Sequence, residues 1–288
     1  MLLGVDHSQT DQTFVTCGET VEVWDHDRFE PVRSFSWGAD SVHCVRFNPV
    51  ETHVVATAAS DRTVSLYDIR TSLPLRKVVM AMKANMIAWN PMEAINFVVA
   101  SEDSNLYTFD MRNLTSPTNV HMDHVSAVLD VDFSPTGREF VSGSFDRTLR
   151  IFHYDRGRSH EIYHTKRMQR IFTVKWSGDG RYVLSGSDEM NIRLWKAEAS
   201  QPVGPVQRRQ RTALRYGERL RERFRYHPLI RRVARHRHVP RLVYKQSKER
   251  RAMLASRHRK RENVIRHSKP GRVQRVAERK KHVVEVKE

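Results

Sequence analysis

Five short segments, VEVWD, VSLYD, LYTFD, LRIFH and IRLWK, place an aromatic at Trp24, Tyr67, Phe109, Phe152 and Trp195, with spacings of 43, 42, 43 and 43 residues. A period this regular requires one supersecondary unit used repeatedly, and it restricts the fold more than any composition does. One and three positions before the aromatic stand Val, Leu or Ile, with Thr108 the single exception. That is the period-2 alternation of a strand with one face on a core. A second marker keeps the same register: Phe47-Asn48-Pro49, Trp89-Asn90-Pro91, Phe133-Ser134-Pro135 and Trp176-Ser177-Gly178 end apolar strands with turn residues. A third lies six residues before the strand aromatics, at Asp61, Asp103, Asp146 and Glu189, where a small acidic or polar residue suits a tight hairpin. Three signals on one period of ~40–45 residues predict the four-stranded blades of a β-propeller.

These segments resemble the WD-repeat family. Trp24-Asp25, Tyr67-Asp68 and Phe109-Asp110 stand where its Trp-Asp dipeptide belongs, and Asp123-His124 where its Gly-His belongs. Phe152-His153 and Trp195-Lys196 depart from it, which weakens the stabilising side-chain network in those blades. The expected fold is therefore an all-β WD-repeat propeller. Full blades are expected near residues 35–70, 78–112, 120–155 and 163–197, with residues 1–25 supplying only the last strands of an earlier one. The resemblance implies a parent ring of seven blades, so the reading is four full blades plus a partial one in an open arc lacking its N-terminal blades, with a small closed propeller as the alternative. The open arc predicts an exposed apolar face on the first complete blade. The acidic residues of the blades are read mostly as turn holders.

Charge divides the chain into residues 1–197, the blades, and 198–288, a basic extension. The net formal charge is +17, yet residues 201–288 hold 29 Lys and Arg against 7 acidic residues, so the blades are slightly acidic. After a Pro/Gly linker, Gln201 to Pro205, helix-compatible sequence begins. Ala213, Tyr216, Leu220 and Phe224 form one narrow stripe, which predicts a helix docked on the propeller by that stripe. A second helix is expected from Lys245 to about Arg266, before Lys269-Pro270-Gly271. Two cysteines, Cys17 and Cys44, cannot make a dense disulfide framework, which suits a reducing intracellular compartment. No apolar run approaches the roughly 20 residues of a membrane helix, and no signal peptide is evident.

The extension carries the functional signal. Arg231, Arg232, Arg235, Arg237 and Arg241, with Lys245, are candidate RNA-phosphate contacts, and interleaved His236, His238 and Tyr244 offer stacking surfaces. Arg outnumbers Lys 22 to 7 here, which favours bidentate phosphate contact. The plainer alternative is a solvated import signal. His236-Arg237-His238 is a poor metal pair, because the neighbouring arginines repel a cation, and no metal or cofactor is expected. The stretches ARHRHVPRLVY, RHSKPG and ERKKHVV, after SGSDEMNIRLWKA, resemble the WD repeat and SOF domain-containing family. That resemblance covers nearly the whole chain. It implies a place in the nucleolar small-subunit processome with its proteins, contact with U3 small nucleolar RNA or pre-rRNA, and a role in maturing 18S rRNA.

Two blade ends continue as Tyr67-Asp68-Ile69-Arg70 and Phe109-Asp110-Met111-Arg112. They resemble the WDxR boxes by which WD-repeat substrate receptors dock on the propeller adaptor of cullin-4 ubiquitin ligases, so Asp68, Arg70, Asp110 and Arg112 are candidate docking residues. The alternative is that each Arg merely pairs with its own Asp. No G-x-S-x-G elbow, Walker loop or H-E-x-x-H is present, and the chain is expected not to be an enzyme.

Overall fold

The computed structural model describes residues 2–36, 40–71 and 74–287. It forms five antiparallel sheets in chain order. The first holds β1 (Gly4–His7), β2 (Thr13–Cys17), β3 (Val21–Asp25) and β4 (Arg33–Phe35). The second holds β5 (Val42–Phe47), β6 (Val54–Ala59), β7 (Thr63–Asp68) and β8 (Pro74–Met80); the third β9 (Ala84–Trp89), β10 (Asn96–Ser101), β11 (Leu106–Asp110) and β12 (Asn119–His121). The fourth holds β13 (Val128–Phe133), β14 (Glu139–Ser144), β15 (Leu149–His153) and β16 (Ser159–Tyr163), and the last β17 (Ile171–Trp176), β18 (Tyr182–Ser187) and β19 (Ile192–Lys196). Each predicted aromatic lies on the third strand of its sheet, Trp24 to Trp195.

The hairpin turns explain the acidic marker. Arg62, Ser104, Arg147 and Met190, each directly after the acidic residue, have φ between 62° and 71°. The carboxylates of Asp61, Asp103 and Asp146 accept the backbone N–H two residues on, at 3.1, 3.0 and 2.9 Å. This local bond offsets the strain of a left-handed residue.

Other acidic residues do a different job from the one read in the sequence. First strands of consecutive sheets pack on one another, β1 on β5, β5 on β9, β9 on β13 and β13 on β17. Asp6 accepts the Phe47 N–H at 2.7 Å, Asp130 that of Val174 at 2.7 Å and Asp132 that of Trp176 at 2.7 Å. These carboxylates stitch sheet to sheet rather than holding turns.

Counting the strands of residues 1–197 alone, four sheets have four strands and one has three, which matches the expected number, but the short sheet is the last and not the first. The sequence period opens on a strand that pairs outermost on the preceding sheet, so one repeat straddles two sheets. Residues 1–25 contribute three strands, and Arg33–Phe35 completes that sheet as its fourth. It covers the second sheet with Val15, Cys17, Val21 and Val23, which share a core with Val42, Val45, Phe47 and Tyr67. The exposed apolar face therefore lies on the last sheet: Ile192 is 79% and Leu194 62% exposed, beside exposed Phe172 and Leu184. Among the described residues no strand of the first sheet pairs with one of the last, which leaves the propeller an open arc.

The extension is helical: α1 (Arg208–Arg223), α2 (Pro228–Arg235) and α3 (Arg241–His267), followed by a 3₁₀ turn over Glu278–His282 and β20 (Val283–Lys287). The docking stripe is a correction: Ala213, Tyr216, Leu220 and Phe224 are all exposed, and α1 buries no residue. Four apolar side chains make a small burial, and seven arginines on the same helix retain their hydration only by standing off. Helix α3 begins four residues earlier than expected, directly after Pro240. Among the described residues no helix is long and apolar enough to cross a membrane.

Candidate nucleic-acid interface

The extension is anchored by residues far apart in sequence. Strand β20 adds to β8 as a fifth strand of the second sheet, and Val283 and Val286 pack against the core shared by the second and third sheets. On α3, Val243 is buried and Arg250 reaches the hairpin of the third sheet. The Arg250 guanidinium donates to the carbonyls of His124 at 2.7 Å and Asp103 at 3.0 Å, and to the Ser104 hydroxyl. A planar fork suits several carbonyls at once, which the point charge of a lysine does not.

His282 fills a gap in the repeat. Just ahead of the fourth sheet, His124 lies 22 residues before Asp146 and bonds to it. The same offset before Asp103 lands on Ala81, which has no imidazole. The Ala81 N–H donates to the His282 carbonyl at 2.9 Å, and the His282 Nδ1 lies 2.8 Å from the Tyr107 hydroxyl, which bonds to Asp103. The extension thus lends a histidine to a blade that lacks one. Neither Arg250 nor His282 stood out in the sequence, since each lies in a run of basic residues; the missing histidine at Ala81 was the available signal.

With α3 and β20 held, the predicted RNA-contacting residues divide. Arg231, Arg232 and Arg235 lie exposed on α2, and Arg241 and Lys245 lie exposed at the start of α3. Arg237 is engaged: its Nε donates to the His160 carbonyl on β16 and its Nη1 to the Ala234 carbonyl at 2.7 Å. His238 stacks on His164 with ring centroids 5.0 Å apart. Both residues therefore fasten α2 to the fourth sheet.

The two Asp-Arg boxes form matching structures. Arg70 donates to Asp68 through Nε at 3.1 Å and Nη2 at 2.9 Å, and Arg112 to Asp110 at 3.2 and 2.9 Å. The arginine side chains remain 65% and 66% exposed. Each guanidinium holds its partner carboxylate below the usual range. The local pairing considered in the sequence is thus present, and it presents two bidentate pairs on neighbouring sheets to solvent.

Among the described residues, Glu139, His153 and His160 come nearest to a metal-ligand set. Glu139 Oε1 lies 3.1 Å from His153 Nδ1 and 3.7 Å from His160 Nε2. The two rings stack 4.2 Å apart and only 17° from parallel. An imidazole lone pair lies in its ring plane, so two such planes do not aim at one ion unless a ring turns. The cluster is a stacked pair of imidazoles beside a carboxylate, and burial pushes His160 down to about 4.

Comparison with known proteins agrees with this geometry. The model of the Sof1-like domain matches residues 197–283, and that of the WD domain, G-beta repeat, matches 29–68, 115–153 and 160–196. The chain is 59% identical to the DDB1- and CUL4-associated factor 13 of Danio rerio over 99% of its own length and 64% of that protein, and 55% identical to that of Homo sapiens over 98% and 64%. It is 47% identical to Protein SOF1 of Saccharomyces cerevisiae over 98% of its length and 57% of the relative. The chain spans less than two thirds of the length of these relatives.

Proposed function

The chain belongs to the WD-repeat family that carries a Sof1-like domain, and on that premise we propose that it is a non-enzymatic assembly scaffold of the nucleolar small-subunit processome. In this reading residues 1–197 hold processome proteins and residues 198–288 hold U3 small nucleolar RNA or pre-rRNA during maturation of 18S rRNA. The observation that carries the reading is the anchoring of the extension at Arg250, Arg237 and β20 while Arg231, Arg232, Arg235, Arg241 and Lys245 face solvent. A backbone already held in place loses little freedom on binding, and each phosphate contact made by its side chains releases a counterion.

The test is RNA binding by the full chain across a salt series. Replacing Arg231, Arg232 and Arg235 with Ala should reduce the slope of log affinity against log salt by about 2, given roughly 0.7 per single-strand phosphate. An unchanged slope and affinity would remove these residues from the interface.

A second reading is supported by the exposed pairs Asp68-Arg70 and Asp110-Arg112 and by relatives whose name associates them with DDB1 and CUL4. The chain would then also serve as a substrate receptor of a cullin-4 ligase. Charge reversal at Arg70 and Arg112 should abolish co-purification of the adaptor and leave RNA binding intact. Adaptor recovery that survives both reversals makes the boxes ordinary sheet ends.

A further inference from the structure

We propose that the free face of α1 and the turn after it form a stacking platform for single-stranded RNA. This deepens the RNA reading above and rests on it. Tyr216 is 67%, Phe224 44% and Tyr226 82% exposed, and α1 buries none of its residues. Tyr216 and Phe224, the residue that caps α1, are eight residues apart, which sets them about 12 Å apart along the axis and within about a quarter turn of each other. Around them α1 carries seven arginines and two glutamates. The Arg223 guanidinium lies 5.7 Å from the Phe224 ring centroid and that of Arg225 5.6 Å from Tyr226. A shallow groove runs between Arg208, Arg209, Thr212, Ala213 and Tyr216.

The charge selects the occupant. An apolar protein helix laid on this face would bury guanidinium groups without partners, whereas a polyanion neutralises them. The exposed rings then select the form of the nucleic acid. In a duplex the bases stack on one another inside the helix and only phosphates and sugars reach a surface ring. In a single strand each base offers a π-face, and an aromatic flanked by arginines covers it irrespective of sequence. Tyr244, exposed between Arg241 and Lys245 at the start of α3, repeats the arrangement beside the phosphate-facing residues.

The full chain is titrated with a fluorescent oligouridine and with a duplex RNA of equal charge, at one salt concentration. The single strand should bind at least about tenfold tighter, since stacking contributes on this order per base. Replacing Tyr216, Phe224 and Tyr226 with Ala should weaken oligouridine binding by about tenfold or more, with the salt slope and the duplex affinity unchanged. Equal affinity for both RNAs, an unaltered affinity of the triple variant for oligouridine, or a parallel loss for both RNAs would overturn the platform while leaving the RNA reading in place. Binding of neither RNA by the unaltered chain would overturn both.

Discussion

His124 Nδ1, from the segment leading into the fourth sheet, and the Asp146 carboxylate, in the turn between β14 and β15, lie 2.9 Å apart, and neither side chain is exposed to solvent. His124 Nε2 lies 2.7 Å from the Ser142 hydroxyl, and Asp146 also accepts the backbone N–H of Thr148 at 2.9 Å. Burial alone would raise the Asp146 carboxyl, but His124, Arg150 and Thr148 outweigh it and hold the group ionised well below the usual range. Replacing Asp146 with Ala strands several buried donors at once and should cost about 3 kcal/mol in chemical denaturation. Replacing Asp179, an exposed turn acid of the last sheet, should cost less than about 1 kcal/mol.

Acid should destabilise the arc before its carboxylates titrate. Burial pushes His121 from 6.5 to about 4, with its ring nitrogens on Arg156 O at 2.7 Å and Thr108 Oγ1 at 2.9 Å. The folded value lies below the unfolded one, so the unfolded chain binds the proton first and stability falls as pH drops from 6.5 towards 4. His124, also lowered by burial, acts in the same direction. Between pH 7 and pH 5, His121 alone should account for about 2 kcal/mol. Denaturant titrations at the two pH values check this, and His121→Asn should flatten the slope.

Arg250 should behave as a clasp. Its replacement by Ala leaves the Asp103 and His124 carbonyls without their donor and should cost about 2 kcal/mol of docking, seen as faster amide exchange across residues 241–267. Arg251, its exposed neighbour, should tolerate Ala without such a change. Equal exchange in both variants would place the anchor elsewhere.

The apolar face of the last sheet should drive self-association. Wild-type chain should sediment with an apparent mass that rises with concentration, whereas the double change Ile192→Lys and Leu194→Lys should remain monomeric with stability altered by less than about 0.5 kcal/mol. A concentration-independent mass in the wild type would contradict this.

The propeller strands, their hairpins and the basic extension were legible in the sequence alone. Periods of 2 and about 43 residues are local properties, and an acid followed by a left-handed residue is a local solution repeated at Asp61, Asp103 and Asp146. The Asp-Arg pairs were equally legible, because Asp68 and Arg70 are two residues apart. Which strand completes each sheet emerged only on folding, since Arg33–Phe35 pairs backward across a repeat boundary that the periodicity does not mark. Folding also decided what becomes of the basic residues. Arg250 is drawn to the turn of the third sheet and to the His124 carbonyl, Arg237 to β16 and His282 to Tyr107. Arg231 and its neighbours stay in water. A guanidinium carries the same local signal in each case, and which ones find carbonyls within reach depends on where α3 and β20 cross the arc.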